Sequence, residues 1–220
     1  MNRKIITTLI IAAVMAAGCA ALIALNKASK TGRSTDTNSH NVIRNGGGKK
    51  MLMVFFSRAG ENYGVDDTKR GNTEVMAGYL KDYFGDKLDV FRIEPETPYP
   101  TSYQETTELG SKEKNSQARP KYKEDVDVAG YDTIFLGYPI WWGEPPMIIN
   151  TFLEKHDFAG KTIVPFNTHE GSGSGGSYEL LKKKLSSANV RTEGLAIAGT
   201  KVRSESSKQE VEAWLKKLGF

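Results

Sequence analysis

Met51-Leu52-Met53-Val54-Phe55-Phe56 runs directly into Ser57-Arg58-Ala59-Gly60, and ten residues later Gly71-Asn72-Thr73-Glu74 opens a new pattern; the fold turns on this passage. Six apolar residues without a polar break suit a central strand buried on both faces. Over residues 73–84 the period changes. Val75, Met76, Tyr79, Leu80 and Tyr83 fall on one helical stripe, and Gly85 ends it. A buried strand that passes through a hydroxyl- and glycine-bearing loop into an amphipathic helix is the opening unit of a parallel α/β sheet.

The alternation continues to the C-terminus. Further strands are expected at residues 88–93, 133–138, 162–167 and 195–198, and helices at 103–114, 147–155 (entered through Pro145-Pro146) and 178–185. The last helix is expected to start at Ser207, whose capping box with Glu210 precedes a stripe of Val211, Trp214, Leu215 and Leu218. This pattern predicts an α/β domain built on a doubly wound, five-stranded parallel sheet of order 2-1-3-4-5 with helices on both faces. Ligands of such sheets bind beyond the C-terminal strand ends, where the order reverses between strands 1 and 3.

Three loops therefore matter. After strand 1, Ser57, Arg58, Asn72 and Thr73 bring hydroxyls and free helix-terminal N–H groups together, which favours an anion. The plainer reading is an ordinary loop with Asn72 or Thr73 as the helix cap. After strand 3 comes Pro139-Ile140-Trp141-Trp142-Gly143. Two adjacent indoles are costly to expose and difficult to bury together, and a flat heteroaromatic ligand stacked on one of them resolves the conflict. A place on the rim of the core accounts for one Trp more readily than for two. Gly143 gives the backbone freedom to turn a carbonyl toward a ligand. After strand 4, Thr168-His169-Glu170-Gly171 leads into a glycine-rich run that lets backbone approach a ligand edge. Residues 173–176 read equally well as a surface loop, and His169 alone as a solvated histidine.

The chain has 30 Lys/Arg against 26 Asp/Glu. Seven of those bases and a single acid, Asp36, lie in residues 1–49, so residues 50–220 hold 23 bases and 25 acids, a net charge of −2. The basicity belongs to the N-terminal segment and marks no nucleic-acid face on the folded part. Arg3 and Lys4 precede an uncharged run that reaches the small residues Ala16-Ala17-Gly18 before Cys19, the layout of a secretory signal. That stretch resembles the lipobox of bacterial lipoproteins, with Cys19 as the acylated residue and Ala16 where Leu is usual. The uncharged run continues to Leu25, long enough to cross a bilayer as an uncleaved anchor. Both readings of residues 1–25 place the domain on the non-cytoplasmic side of a bacterial membrane. Residues 26–49, polar and rich in Ser, Thr, Asn and Gly, read as a flexible linker. Cys19 is the sole cysteine, which excludes an internal disulfide.

Taken together, the Ser57…Gly71-Asn72-Thr73 loop, the 139–143 loop and Thr168-His169-Glu170-Gly171 resemble bacterial flavodoxins of the short-chain branch, over residues 50–220. The resemblance implies a flavodoxin-like fold and a non-covalently bound FMN. Its phosphate would lie at Ser57, Arg58, Asn72 and Thr73, its ring against Pro139, Ile140, Trp141, Trp142 and Gly143, and its pyrimidine edge along Thr168, His169, Glu170 and Gly171. The ten residues 61–70 interrupt the phosphate loop and leave open which of Ser57, Arg58, Gly60 and Asn72 meets phosphate. Glu144 and Glu170 beside the ring would disfavour added negative charge on it, and a rotating Gly143 peptide would offer it a carbonyl. Three functions follow. The first is an electron carrier of the envelope with a redox partner protein. The second is an FMN-dependent NAD(P)H:quinone-type oxidoreductase with a small quinone-like acceptor. The third is a non-redox binding module on the same fold.

Overall fold

The apolar run at residue 51 becomes the strand around which the sheet is built. A computed structural model describes residues 50–220; the readings made of residues 1–49, Cys19 included, lie outside the described residues. β1 (Met51–Phe55) lies in parallel between β4 (Leu88–Arg92) and β5 (Thr133–Pro139). β5 pairs with β6 (Thr162–His169), and β6 carries both β7 (Asn189–Val190) and β8 (Leu195–Ala198) on its far side. The order β4-β1-β5-β6-β7/β8 is the expected 2-1-3-4-5, with the last strand in two pieces. The interruption faces Pro165, which has no N–H to donate to a neighbouring strand; residues 191–194 leave the ladder there and rejoin it at Leu195.

Side chains alternate across the sheet and build a core on each face. Leu52, Val54, Ile134, Leu136 and Tyr138 pack with Ile148, Ile149 and Phe152 of α3 (Met147–Lys155). Met53, Phe55, Phe135 and Phe166 pack with Met76 and Leu80 of α1 (Asn72–Phe84) and with Val211 and Leu215 of α5 (Glu205–Lys217). Each such side chain, fully withdrawn from water, contributes about 1.5–3 kcal/mol. α2 (Tyr103–Asn115) and α4 (Ser177–Lys184) complete the layers.

Two helix starts differ from expectation. α5 begins at Glu205, because Ser204 and not Ser207 is the cap: its Oγ accepts the Ser207 N–H at 3.2 Å. Ser207 sits buried in the first turn and donates its hydroxyl to the Lys201 carbonyl. α1 begins at Asn72 with Gly71 at the cap position, and Ser57 supplies the missing side-chain acceptor from outside the helix. The ten-residue interruption after strand 1 is a small antiparallel hairpin, β2 (Gly60–Asn62) with β3 (Val65–Thr68), turning at Tyr63-Gly64. Among the described residues, no helix is long and apolar enough to cross a membrane.

Candidate functional site

A cleft opens over the C-terminal ends of β1, β5 and β6, where the three loops meet. At one end Ser57, Asn72, Thr73 and Thr168 are all buried. Ser57 Oγ accepts the Glu74 N–H at 3.0 Å, which leaves the first-turn N–H groups of Asn72 and Thr73 as the helix's orphan donors. Gly71 permits this geometry: a Cβ there would lie 2.3 Å from both Ser57 Oγ and the Arg58 carbonyl. Thr73 Oγ1 and Thr168 Oγ1 share a hydrogen bond of 2.8 Å, joining the loop after β1 to the end of β6. Asn72 is oriented by Arg203, which donates to its Oδ1 and to the Arg70 carbonyl. Arg58 is drawn into the backbone instead. Its guanidinium donates to the carbonyls of Ala59, Pro100, Thr101 and Glu61, and burial lowers its pKa. It lines the cleft with its hydrogen-bonding capacity largely committed.

The two tryptophans have different places. Trp141 packs edge-on against Tyr99 (ring centroids 5.0 Å apart) and Phe56 (5.6 Å) and belongs to the margin of the core. Trp142 is 54% exposed and lines the cleft. It also has a backbone conformation that bulky residues seldom take, φ +52°, followed by Gly143 at φ +82°. With Trp141 and Glu144 exchanging hydrogen bonds across them (2.9 and 3.2 Å), these two residues form the tip of a tight reversed turn whose two positive φ values fit type I′. Three contacts hold the turn: Trp142 Nε1 donates to the Thr107 carbonyl (2.9 Å), Lys114 donates to the Trp142 carbonyl (2.7 Å), and Lys114 pairs with Glu144 (3.1 Å). In this turn Lys114 holds the Trp142 carbonyl, on the N-terminal side of Gly143. The charge of Glu144 is offset by the same lysine.

The third loop is carried by a buried network beneath it. Tyr178 donates to Asn167 Oδ1 (2.5 Å), Asn167 Nδ2 to the Gly173 carbonyl (3.1 Å), and Tyr138 and Ser177 share a bond of 3.0 Å. Burial pushes both tyrosine pKa values upward, so they stay protonated. Above them, His169 Nδ1 accepts the Gly171 N–H at 2.9 Å, which assigns the proton to Nε2; partial burial lowers its pKa and favours the neutral ring. Glu170 reaches across the cleft and accepts the Tyr103 hydroxyl at 2.8 Å.

Tyr103, Thr106 and Thr107 of α2, and Asn62 of the hairpin, complete the lining beside Ile140, Trp141 and Trp142, around a space of about 240 Å³. None of these four residues stands out in the sequence. Tyr103 follows the helix cap Ser102 and so begins α2. Of the loop residues singled out from the sequence, Ser57, Arg58, Asn72, Thr73, Pro139, Ile140, Trp141, Trp142, Thr168, His169 and Glu170 converge on this one cleft; Gly143 and Gly171 do not line it.

A family model described as flavodoxin matches residues 50–218. Among solved structures, a candidate flavoprotein from Bacteroides eggerthii is 31% identical with a TM-score of 0.62, over 79% of this chain and 99% of its own. A second from Bacteroides uniformis is 28% identical, TM-score 0.62, over 77% and 99%. A flavoprotein from Lactobacillus acidophilus, solved in complex with FMN, is 20% identical with a TM-score of 0.56, over 76% and 99%, and supports the fold. No curated protein matches the chain.

Proposed function

The chain belongs to the flavodoxin family, and from that premise we propose that it binds FMN non-covalently in the cleft and passes electrons through it. The observation that carries the reading is the continuity of the cleft. Orphan N–H groups at the start of a 13-residue helix lie at one end, a half-exposed indole at the other, and backbone of the 168–171 loop along the side. A dianionic phosphate suits the first, a planar heteroaromatic ring the second, and a ring edge with donors and acceptors the third. Bound there, FMN would supply the redox chemistry. The protein's residues bind, orient and insulate it. Thr73 and the α1 N-terminus hold the phosphate, Trp142 stacks on the ring, and the neutral His169 with Glu170 borders its polar edge.

The test is direct. The purified full-length chain should be yellow or become so with FMN, and its tryptophan fluorescence should fall as the indole stacks. Failure of both at micromolar FMN overturns the reading.

We further propose that electron transfer to a partner protein is the principal role. A hydride-accepting reductase of small quinone-like acceptors is the second reading, favoured by the shallow, open surface between Trp142 and the outer face of α2, which adjoins the ring end of the cleft at Tyr103 and Trp142. The lipobox-like run ahead of Cys19 supports a place in the cell envelope, with the domain on the non-cytoplasmic side. Cys19→Ser should then abolish lipid labelling and leave an unprocessed precursor. A variant that stays at full size on the membrane, like the unaltered chain, would favour the uncleaved anchor.

A further inference from the structure

The β2–β3 hairpin is inserted between the two halves of the anion site, since it leaves the chain just after Arg58-Ala59 and returns it at Gly71. One end is fastened to the loop after β4. Glu61 N–H donates to the Thr101 carbonyl (2.9 Å), the Glu61 carboxylate accepts the Tyr103 N–H (3.0 Å), and Arg58 donates to the carbonyls of Pro100 and Thr101. The backbone is so close at Gly60 that a Cβ would lie 2.6 Å from the Thr101 oxygen. The other end, the tip at Gly64, abuts Thr200 in the loop after β8, where a Cβ would lie 2.9 Å from the threonine methyl. β4 and β8 lie at opposite margins of the sheet, so the two ends of the hairpin touch loops that come from opposite sides of it. Beneath it the phosphate end of the cleft is narrow, about 30 Å³ against about 240 Å³ at the ring end, and Asn62 lines both. Arg203 ties Asn72 to the Arg70 carbonyl, where the hairpin's return leads into α1.

We propose that this hairpin is a roof on the phosphate end of the site that selects FMN and rejects flavin nucleotides prolonged beyond that phosphate, such as FAD. The inference rests on the FMN reading above. A terminal phosphate can displace the Asn62 side chain, whose amide now donates to the Gly60 carbonyl (2.8 Å), and receive that donor itself. A phosphate that continues into a second phosphate and an adenosine needs an exit, and the exit is where the hairpin lies. The same roof slows release of the ligand it covers.

Gly60 and Thr68 are paired across the hairpin, so two glycines can replace residues 61–67 without moving either. In the full-length chain, FMN should bind at least about 100-fold more tightly than FAD, and the shortened chain should bring the two within about tenfold while releasing FMN about tenfold faster. Asn62→Ala should speed FMN release and still reject FAD. In the unaltered chain, FMN should protect the amides of residues 61–68 from hydrogen exchange, a measurement that holds even if the shortened chain misfolds. Unchanged exchange in that segment, or a shortened chain that keeps both the FMN preference and the release rate, would overturn the roof and leave FMN binding standing. An unaltered chain that binds neither flavin overturns the FMN reading itself.

Discussion

Trp142 holds an unfavourable backbone conformation at about 1–3 kcal/mol, and what it gains is an indole face toward the cleft, fixed by the bond from its Nε1 to Thr107. Trp141 gains core contacts instead. Truncating the two should therefore have separable effects. Trp142→Ala is expected to weaken FMN by about 1–3 kcal/mol, the scale of base–aromatic stacking, with little change in thermal stability. Trp141→Ala is expected to lower stability by about 3–5 kcal/mol or less, as its margin position allows, and to affect FMN only through that loss. Titration and thermal melts of both variants check this; equal effects on FMN would mean the ring lies elsewhere. At the phosphate end, Thr73→Val removes the hydroxyl shared with Thr168. It should cost about 1–3 kcal/mol of stability through the unpaired Thr168 hydroxyl. If Thr73 meets phosphate, FMN should lose about tenfold more affinity than riboflavin, which has none. Equal losses would make the threonine pair a purely structural link between loops.

At the scale of elements, strands were easier to read than the points where helices begin. A strand buried on both faces must be written in apolar residues, and 51–56, 133–138 and 195–198 lie within a residue of β1, β5 and β8. A helix cap is chosen by backbone geometry among neighbours that all qualify, and Ser204, Ser206 and Ser207 all carry the hydroxyl; only the turn ending at Ser204 decides. The hairpin Gly60–Thr68 is polar, stands outside both cores and has no buried face to impose alternation, so nothing in its sequence marks it as strands. Tyr103 and Asn62 escaped notice for a related reason: what makes them part of the site is a long-range approach and not a local motif. The Trp loop and the 168–171 loop were readable because paired indoles and runs of glycine are hard to explain otherwise.

The C-terminus of α3 offers an element-level test. Asp125 receives Lys155 (2.8 Å), His156 (2.9 Å) and the Tyr122 hydroxyl (3.0 Å). Burial alone would raise its pKa, but the bonds from Lys155 and Tyr122 outweigh that and hold it at about 2. A folded-state pKa below the ordinary 3.8 means that its stabilisation is complete above about pH 4 and is lost as pH falls through 2. Asp125→Asn should therefore melt lower than the unaltered chain at pH 7, and the two should converge by pH 2. A constant difference at pH 7, 4 and 2 would show that the carboxylate's charge is not what holds the helix end.

For the whole molecule, the distinction between carrier and reductase rests on whether two electrons leave FMN singly or together. The pinned Trp142 carbonyl and the Lys114–Glu144 pair stiffen the ring loop, while a net charge of −2 on residues 50–220 gives little electrostatic steering toward a basic partner. A carrier should show a long-wavelength absorbance band during dithionite titration, before full bleaching, and no direct bleaching by NADH or NADPH. Fast anaerobic bleaching by a nicotinamide, turnover of an added quinone and no such band would establish the reductase.

The broken outer strand also bears on self-association. An uninterrupted edge presents a row of unpaired amides and carbonyls on which another copy can add its own strand, the first step toward aggregates. Here that margin consists of two residues, a four-residue departure opposite Pro165, and four residues more. No straight segment of it is long enough to template a second sheet. Copies of the chain that meet at high concentration find nothing on this margin to extend.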